Sequence, residues 1–425
     1  MKEKAKAALL RVQKVTRTDM VYAAKGGFWL SFGSAAGSLM SLAVAIVFAN
    51  LASKDAYGYY KYLMSIGGAL AGFTLTGLGE ALLRSAAKNY DGTLRALARR
   101  SFRWNVLVGA VALAGAGWYF WRGDAKLGWS LVAIGVFMPM TQSTSLFAAF
   151  LRGKKDFRTS SAYGLLRTAA PSAALIASLL LLPHNPAILV TASVGTGALA
   201  TYAAYRLTLK RHAKNDAVDP GAMAFGAHVS FMNAIGTLAV NLDKILIFQF
   251  FGAAPTAVYA LAQALPEQLD GVTSNLRSLA TPKFAEQSPS RAFGPLLRKT
   301  AIVMLIMIPL VGVAMLFTPL AYRLVFPQYH DAARYALVLL VAQVFVTPSH
   351  LPLAFIMAHH DLRGRYIAGL GPSFVFIALL LVLIKPFGLM GVAVAKIVTK
   401  AVGLALALVF AARISARQPL PSPDL

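Results

Sequence analysis

The sequence predicts an all-α integral membrane protein, with about twelve transmembrane helices in two six-helix lobes around a central cleft. Three observations carry this reading. With 57% hydrophobic residues, 13% charged residues and a mean hydropathy of +0.62, a chain of 425 residues is too apolar for a soluble protein. Apolar stretches near the ~20 residues that cross a bilayer recur along the whole length. Basic residues crowd every second connection and are sparse in the connections between.

Residues 1–26 form a basic lead with Lys2, Lys4, Lys6, Arg11, Lys14, Arg17 and Lys25, without the continuous apolar core of a cleaved signal. It reads as cytoplasmic, either an interfacial helix or a solvated tail. The first span, 27–51, contains no acidic residue and carries Gly33 and Gly37 at a spacing suited to close helix contact. After a turn at 53–58, the second span runs 59–83 and ends in Glu80 and Arg84, one turn apart. Further spans fall at 104–121, 127–151, 164–182, 187–209, 223–251, 256–280, 297–319, 332–357, 366–384 and 387–412. The lobes then cover 27–210 and 223–413, with a cytoplasmic linker at 211–222 and a cytoplasmic tail at 414–425. Pro171, Pro266, Pro309 and Pro348 lie inside spans, where a missing amide hydrogen kinks or breaks a helix.

Charge tests the helix count. Of the 41 Lys and Arg, 31 fall on the side of the two termini. Only Lys54, Lys61, Arg122, Lys126, Arg323, Arg334 and Lys385 fall on the other side, while Lys244, Lys396 and Lys400 lie within spans. A missed or extra helix would scramble this alternation, which places both termini in the cytoplasm. The net charge of +25 is therefore a topology signal, with attraction to anionic membrane lipids as a by-product and no nucleic-acid role.

Several functions are excluded or disfavoured. Cysteine is absent, so there is no disulfide framework, thiolate metal site or Cys nucleophile. The connections are too short to carry the extramembrane domain of a polytopic glycosyltransferase, polymerase or ligase, and no Gly-rich Lys-Ser/Thr nucleotide loop is present. His359 and His360 precede Asp361, but adjacent His side chains do not face one site, so the segment reads as a solvated loop and no metal is expected.

The chemistry concentrates between Phe225 and Lys283. On the seventh span Ser230, Asn233, Thr237, Asn241 and Lys244 share one polar face, with Asp243 to one side. On the eighth, Gln263, Glu267, Asp270, Ser274 and Arg277 share another. In hydrocarbon both stripes must look inward, which predicts an internal polar cavity. Lys396 and Lys400 stand one turn apart near mid-bilayer on the last helix, and Arg84 and Arg277 occupy matching positions near one mouth of the cleft. Each has a structural alternative: Glu80 and Arg84 as an interfacial ion pair, Arg84 and Arg277 as topology anchors, and the buried charges as bridges between helices. The run Thr141-Gln142-Ser143-Thr144-Ser145 in the fourth span either lines the cleft or glues helices together.

The halves also repeat. Phe48-Ala-Asn-Leu-Ala-Ser-Lys-Asp-Ala-Tyr-Gly-Tyr59 lines up with Phe248-Gln-Phe-Phe-Gly-Ala-Ala-Pro-Thr-Ala-Val-Tyr259, each between the first two helices of a half. Six helices being an even number, the halves enter the membrane in the same direction.

Ala-Tyr-Gly-Tyr (56–59), Gly77-Leu-Gly-Glu-Ala-Leu-Leu-Arg84, Asn241-Leu-Asp-Lys-Ile-Leu-Ile247 and the following Phe-Phe-Gly252 and Val-Tyr-Ala-Leu-Ala262 carry a family resemblance. Together they resemble the Wzx-type flippases of lipid-linked oligosaccharides, in the multidrug/oligosaccharidyl-lipid/polysaccharide exporter superfamily. The resemblance covers nearly the whole chain through short, degenerate motifs. It implies a MATE-like transporter of the bacterial inner membrane, and no enzyme. Its cargo would be undecaprenyl-pyrophosphate-linked units of O-antigen of lipopolysaccharide, capsule or exopolysaccharide, moved from the cytoplasmic to the outer leaflet by alternating access. A polysaccharide polymerase and a chain-length regulator are the implied protein partners; no cofactor is implied beyond coupling to H+ or Na+. Lipid II flippases are similar but typically carry two further helices.

A lipid-pyrophosphate cargo suits the residues. Lys396, Lys400, Lys244, Arg84 and Arg277 would meet the anionic head group, Glu267, Asp270, Asp243 and Glu80 would gate or couple ions, and Asn233, Thr237, Asn241, Gln263, Ser274 and Gln142 would complete the polar lining. Two alternatives stay open: an ion-coupled small-molecule or drug antiporter, whose relatives often carry a carboxylate in the first helix that is missing here, and a membrane enzyme of envelope polysaccharide synthesis.

Overall fold

The computed structural model describes residues 20–183, 185–273, 275–359 and 362–416, and among these it contains helices and their connections only. Most of the basic lead, the end of the tail, Ser274, His360 and Asp361 lie outside the described residues. Eight stretches are long and apolar enough to cross a membrane. The last of them, Tyr366–Ala416, folds back at Gly388 (φ 56°, ψ −138°) into two helices, and three more polar or broken rods complete twelve.

The first half comprises α1 (Met20–Leu51), the broken second rod α2 (Lys54–Gly72) and α3 (Leu78–Ala87), α4 (Gly92–Trp121), the broken fourth rod α5 (Ala125–Thr144) and α6 (Phe147–Gly153), α7 (Phe157–Leu181) and α8 (Pro186–His212). Their starts follow local rules. Ser53, Asp124, Asp156 and Asn185 each accept a hydrogen bond from an amide of the first turn, at 3.0–3.2 Å, and Pro186 stands where no amide hydrogen is needed.

The second half comprises α9 (Ala222–Phe251), the eighth rod in three pieces α10 (Ala253–Ala262), α11 (Ala264–Thr273) and α12 (Asn275–Ala285), α13 (Pro289–Val325), the broken tenth rod α14 (Ala332–Val341) and α15 (Gln343–Ala358), and α16 (Leu362–Ala416). The face where α1 begins is called the basic face below, the other the far face. Interruptions do not simply follow proline: Pro171 and Pro309 sit inside uninterrupted helices, whereas the second rod breaks at 73–77 without one. Only near Pro266 do break and proline coincide, and there the Gln343 amide donates to the Pro266 carbonyl at 2.9 Å.

Helices α2 and α3 lie along α9 through much of the membrane, on a row of glycines. Gly58 meets Ala253 where the two repeated turns touch, and Gly68 meets Asn241. A β-carbon on Gly72 would stand 3.0 Å from the Ala234 carbonyl and Thr237 Cβ; one on Gly77 would stand 2.5 Å from the Gly226 carbonyl. The Ser230 hydroxyl accepts the Gly77 amide at 2.9 Å, satisfying backbone that the break frees. On the far face Tyr62 stacks on Phe248 at 3.8 Å and accepts from Gln249 at 2.6 Å, and Asn50 donates to the Val325 carbonyl at 3.1 Å.

On the basic face, the connection at 213–221 is strapped to the first half. Buried Asp91 pairs with Lys154 and accepts the Lys214 amide at 2.8 Å, Asn215 accepts the Asp91 amide at 3.1 Å, and the Ser85 hydroxyl donates to Asp219 at 2.7 Å. That hydroxyl, followed by the Gly221 amide, holds the Asp219 carboxyl below its usual value of 3.8.

Two outcomes follow. Gly77→Ala lowers the thermal unfolding temperature of the detergent-solubilised protein, because rigid backbone occupies the space a methyl needs, whereas Gly117→Ala, with open space around it, does not. Because the Asp219 pKa is depressed, its stabilisation is full above pH 3.8 and is lost as pH falls through the lower folded value; acid unfolding of Asp219→Asn therefore shows a shallower stability loss below about pH 4.

Candidate functional site

Asp243 lies in α9 with 0% exposure, and four donors converge on it. Lys396 Nζ reaches Oδ2 at 2.7 Å, Gln263 Nε2 at 2.8 Å and the Tyr259 hydroxyl at 3.3 Å, while the Lys244 amide donates to Oδ1 at 2.7 Å. Lys396 also lies 5.6 Å from the Tyr259 ring centre. Counting 1.5 Å per residue from their far-face ends, Asp243 and Lys396 both sit ~12 Å deep. The seventh, eighth and twelfth rods are thus joined by a buried ion pair whose carboxylate is fully satisfied.

A second cluster lies deeper and is left open. Asp270 Oδ1 stands 3.4 Å from His350 Nε2, within ion-pair range but without hydrogen-bond alignment, and neither ring nitrogen of His350 has a hydrogen-bond partner among the described residues. Both residues are ~26 Å from the far-face ends of their rods by the same helical rise. Lys400, one turn beyond Lys396, is exposed, yet it feels the charges of Asp270 and Lys396. By the same helical rise Lys400 sits ~18 Å deep, between the closed pair and Asp270.

Between the halves lies a cavity of about 320 Å³, walled on one side by α1, α2, α7 and Ser193 and on the other by α10 and α11. Its charged residues are Lys61, Arg167 and Glu267. Arg167 and Glu267 both sit ~21 Å from the far-face ends of their helices, which places opposite charges at one depth on opposing walls. At ~18–26 Å, deeper than the closed Asp243–Lys396 pair, Lys400, the facing Arg167 and Glu267, and the Asp270–His350 pair make a short ladder of mixed charge. Such a ladder can bind a hydrated anion without trapping it.

The remaining predicted residues disperse. Thr237 and Asn241 pack against Gly72 and Gly68, so this part of the polar stripe lies along a helix seam. Small polar groups allow close approach there while their own helix satisfies them, Thr237 donating to the Asn233 carbonyl at 2.9 Å and Asn241 to the Thr237 carbonyl at 2.8 Å. Asn233 reaches Thr76 at 3.5 Å. Gln263, 2% exposed, is occupied by Asp243, and half-buried Lys244 adds a second positive charge near that carboxylate. Glu80 and Arg84 form an i, i+4 pair at 3.0 Å, with Arg84 stacked 4.3 Å from the Phe225 ring centre. Arg277 is exposed near the basic face. Gln142 is half-buried in α5, which packs between α4 and α8, and its neighbour Ser143 accepts from Asn105 at 3.0 Å, helix to helix.

His350 and Arg167 escape sequence reasoning. Arg167 counts with the basic-face residues by position, although it lies ten residues into α7. His350 sits in an apolar run, and its significance appears only beside Asp270.

The closed pair makes a double-mutant prediction. Asp243→Asn or Lys396→Met alone destabilises the solubilised protein by about 3–5 kcal/mol, because each strands a buried partner. The double variant recovers most of that loss, read as thermal unfolding in a double-mutant cycle.

Comparison with solved structures places this arrangement. An inward-facing MATE multidrug resistance transporter of the MOP superfamily aligns at a TM-score of 0.67 and 17% identity, over 89% of this chain and 95% of that one. Its outward-facing counterpart aligns at 0.67 and 16%, over 92% and 96%. A MOP-superfamily transporter from Pyrococcus furiosus, described as having a reverse-polarity binding pocket that suggests a different function, aligns at 0.61 and 15%, over 92% and 96%. No curated protein sequence gives a match. The family model described as polysaccharide biosynthesis protein matches residues 23–277, more than half of the chain, and the protein therefore belongs to that family, built on the fold of the MATE transporters.

Proposed function

We propose that this protein is a flippase that carries lipid-pyrophosphate-linked oligosaccharide from the cytoplasmic to the outer leaflet of a bacterial inner membrane by alternating access. The basic face is then cytoplasmic, by the asymmetry of its Lys and Arg. The observation that carries the reading is the interior cation ladder. Lys61 and Arg167 line the space between the halves, with Lys400 one turn beyond Lys396 at a neighbouring depth; a cationic drug would meet repulsion there, and a pyrophosphate would meet charge-assisted donors. The interleaved Glu267 and Asp270 weaken the hold on the anion so that it leaves. Membership of a polysaccharide biosynthesis family supports the sugar-bearing cargo.

The contacts on the far face support a state open toward the basic face. Asn50 bonds the Val325 carbonyl, Tyr57 meets Tyr329 edge-on at 6.2 Å, and Lys54 lies 5.4 Å from the Tyr329 ring centre, whereas Arg167, Glu267 and Arg277 are exposed. A second reading, ion coupling, is favoured by one observation: Asp270 and His350 stand 3.4 Å apart in the interior, with neither ring nitrogen hydrogen-bonded among the described residues.

The test is translocation of a lipid-pyrophosphate-linked oligosaccharide in proteoliposomes. Wild type moves it, and Arg167→Ala with Lys400→Ala lowers the rate at least tenfold while inserting normally. Lys396→Ala with Lys400→Ala gives a comparable loss together with reduced stability. Wild type that moves no lipid but drives a small cation along a pH or sodium gradient overturns the flippase reading in favour of an antiporter.

A further inference from the structure

A further groove lies outside the central cleft, on the outer flank of the first half at the basic face. It encloses about 590 Å³, within the usual size of a small-molecule site, between the start of α4, the end of α5, the end of α8 and the strapped linker. Its walls change character with depth. Met140 and Tyr202 lie ~22–24 Å below the far-face ends of their helices, inside the ~30 Å hydrocarbon layer. Arg99 lies ~33 Å below the end of α4 and Arg95 ~39 Å, at and just beyond its boundary. The groove is thus apolar at acyl-chain depth and cationic at head-group depth.

Several details fit an amphiphile. Phe102 and Tyr202, on facing walls, are 45% and 39% exposed, large surfaces that the described residues leave partly uncovered. Arg206 stands beside the groove, 5.9 Å from the Tyr202 ring centre and 3.4 Å from its hydroxyl, adding a third guanidinium at the head-group level. Asp216 is the single acidic residue of the lining; its side chain, 91% exposed, meets Arg95 at 3.4 Å from the linker, a long contact that a phosphate oxygen can replace.

We propose that this groove binds one anionic phospholipid of the adjacent leaflet, its phosphate held by Arg95 and Arg99 and an acyl chain lying against Phe102, Met140 and Tyr202. The site is separate from the cargo path and does not depend on the flippase reading. Its ligand exchanges with Asp216 for Arg95, so lipid occupancy bears directly on the strap that leads into α9. A soluble anion lacks the apolar portion that would fill the deeper half, and a peptide would carry unpaired backbone into hydrocarbon.

The full-length protein in a mild detergent tests this by native mass spectrometry against matched phosphatidylglycerol and phosphatidylcholine. Wild type retains the anionic lipid at least tenfold better. Arg95→Ala with Arg99→Ala removes the preference, while Arg122→Ala with Lys126→Ala, basic residues of the far face, keeps it. Ala96→Trp, which fills the groove and leaves both arginines in place, also abolishes retention; it decides the matter should the arginine variant fail to fold. Retention unchanged in the arginine or Ala96→Trp variants overturns the proposal. Displacement of phosphatidylglycerol by a polyprenyl phosphate overturns it too, assigning the groove to cargo instead.

Discussion

A carboxylate at full burial, within the thickness of a bilayer, is the constraint around which the second half is arranged. Asp243 is tolerated because Lys396, Gln263, Tyr259 and the Lys244 amide all reach it. Satisfying it requires three rods to meet at one depth, and this sets where α10 must end and how α16 must present Lys396. The break after Ala262 follows from the same demand, since Gln263 turns toward Asp243 just as Pro266 interrupts the regular hydrogen-bond ladder.

With that pair closed, the charges deeper in the interior are the ones free to act. Lys400, the facing Arg167 and Glu267, and the Asp270–His350 pair lie deeper than Asp243, and among the described residues none is held by as many donors as Asp243 is. Lys396 and Lys400 differ by one helical turn, and it is Lys396 that pairs with Asp243.

The contact between halves is of another kind. Along α2, α3 and α9, glycines bring two helices into backbone contact, with small polar side chains closing their own carbonyls and Ser230 capping a break. Bulky side chains meet at the two ends of this seam, Tyr62 on Phe248 at the far face and Arg84 on Phe225 at the basic face. The strapped linker keeps the start of α9 attached to the first half.

How much was legible in the sequence depends on whether a property is local. Helix count follows from hydropathy and the length needed to cross a bilayer, and this determined the fold class. Orientation was less accessible: a polar stripe in a membrane helix must face protein, but that protein is either cavity or another helix. For Thr237 and Asn241 it is the glycines of α2; for Glu267 it is a cavity facing Arg167. Pairing is a property of distant residues, so the partners of Asp243 and Asp270, the turn at Gly388 and the role of His350 were decided by tertiary structure alone. The sequence by itself determined which residues are expensive to bury, because that cost belongs to each side chain; which neighbour offsets it was decided only when the rods packed.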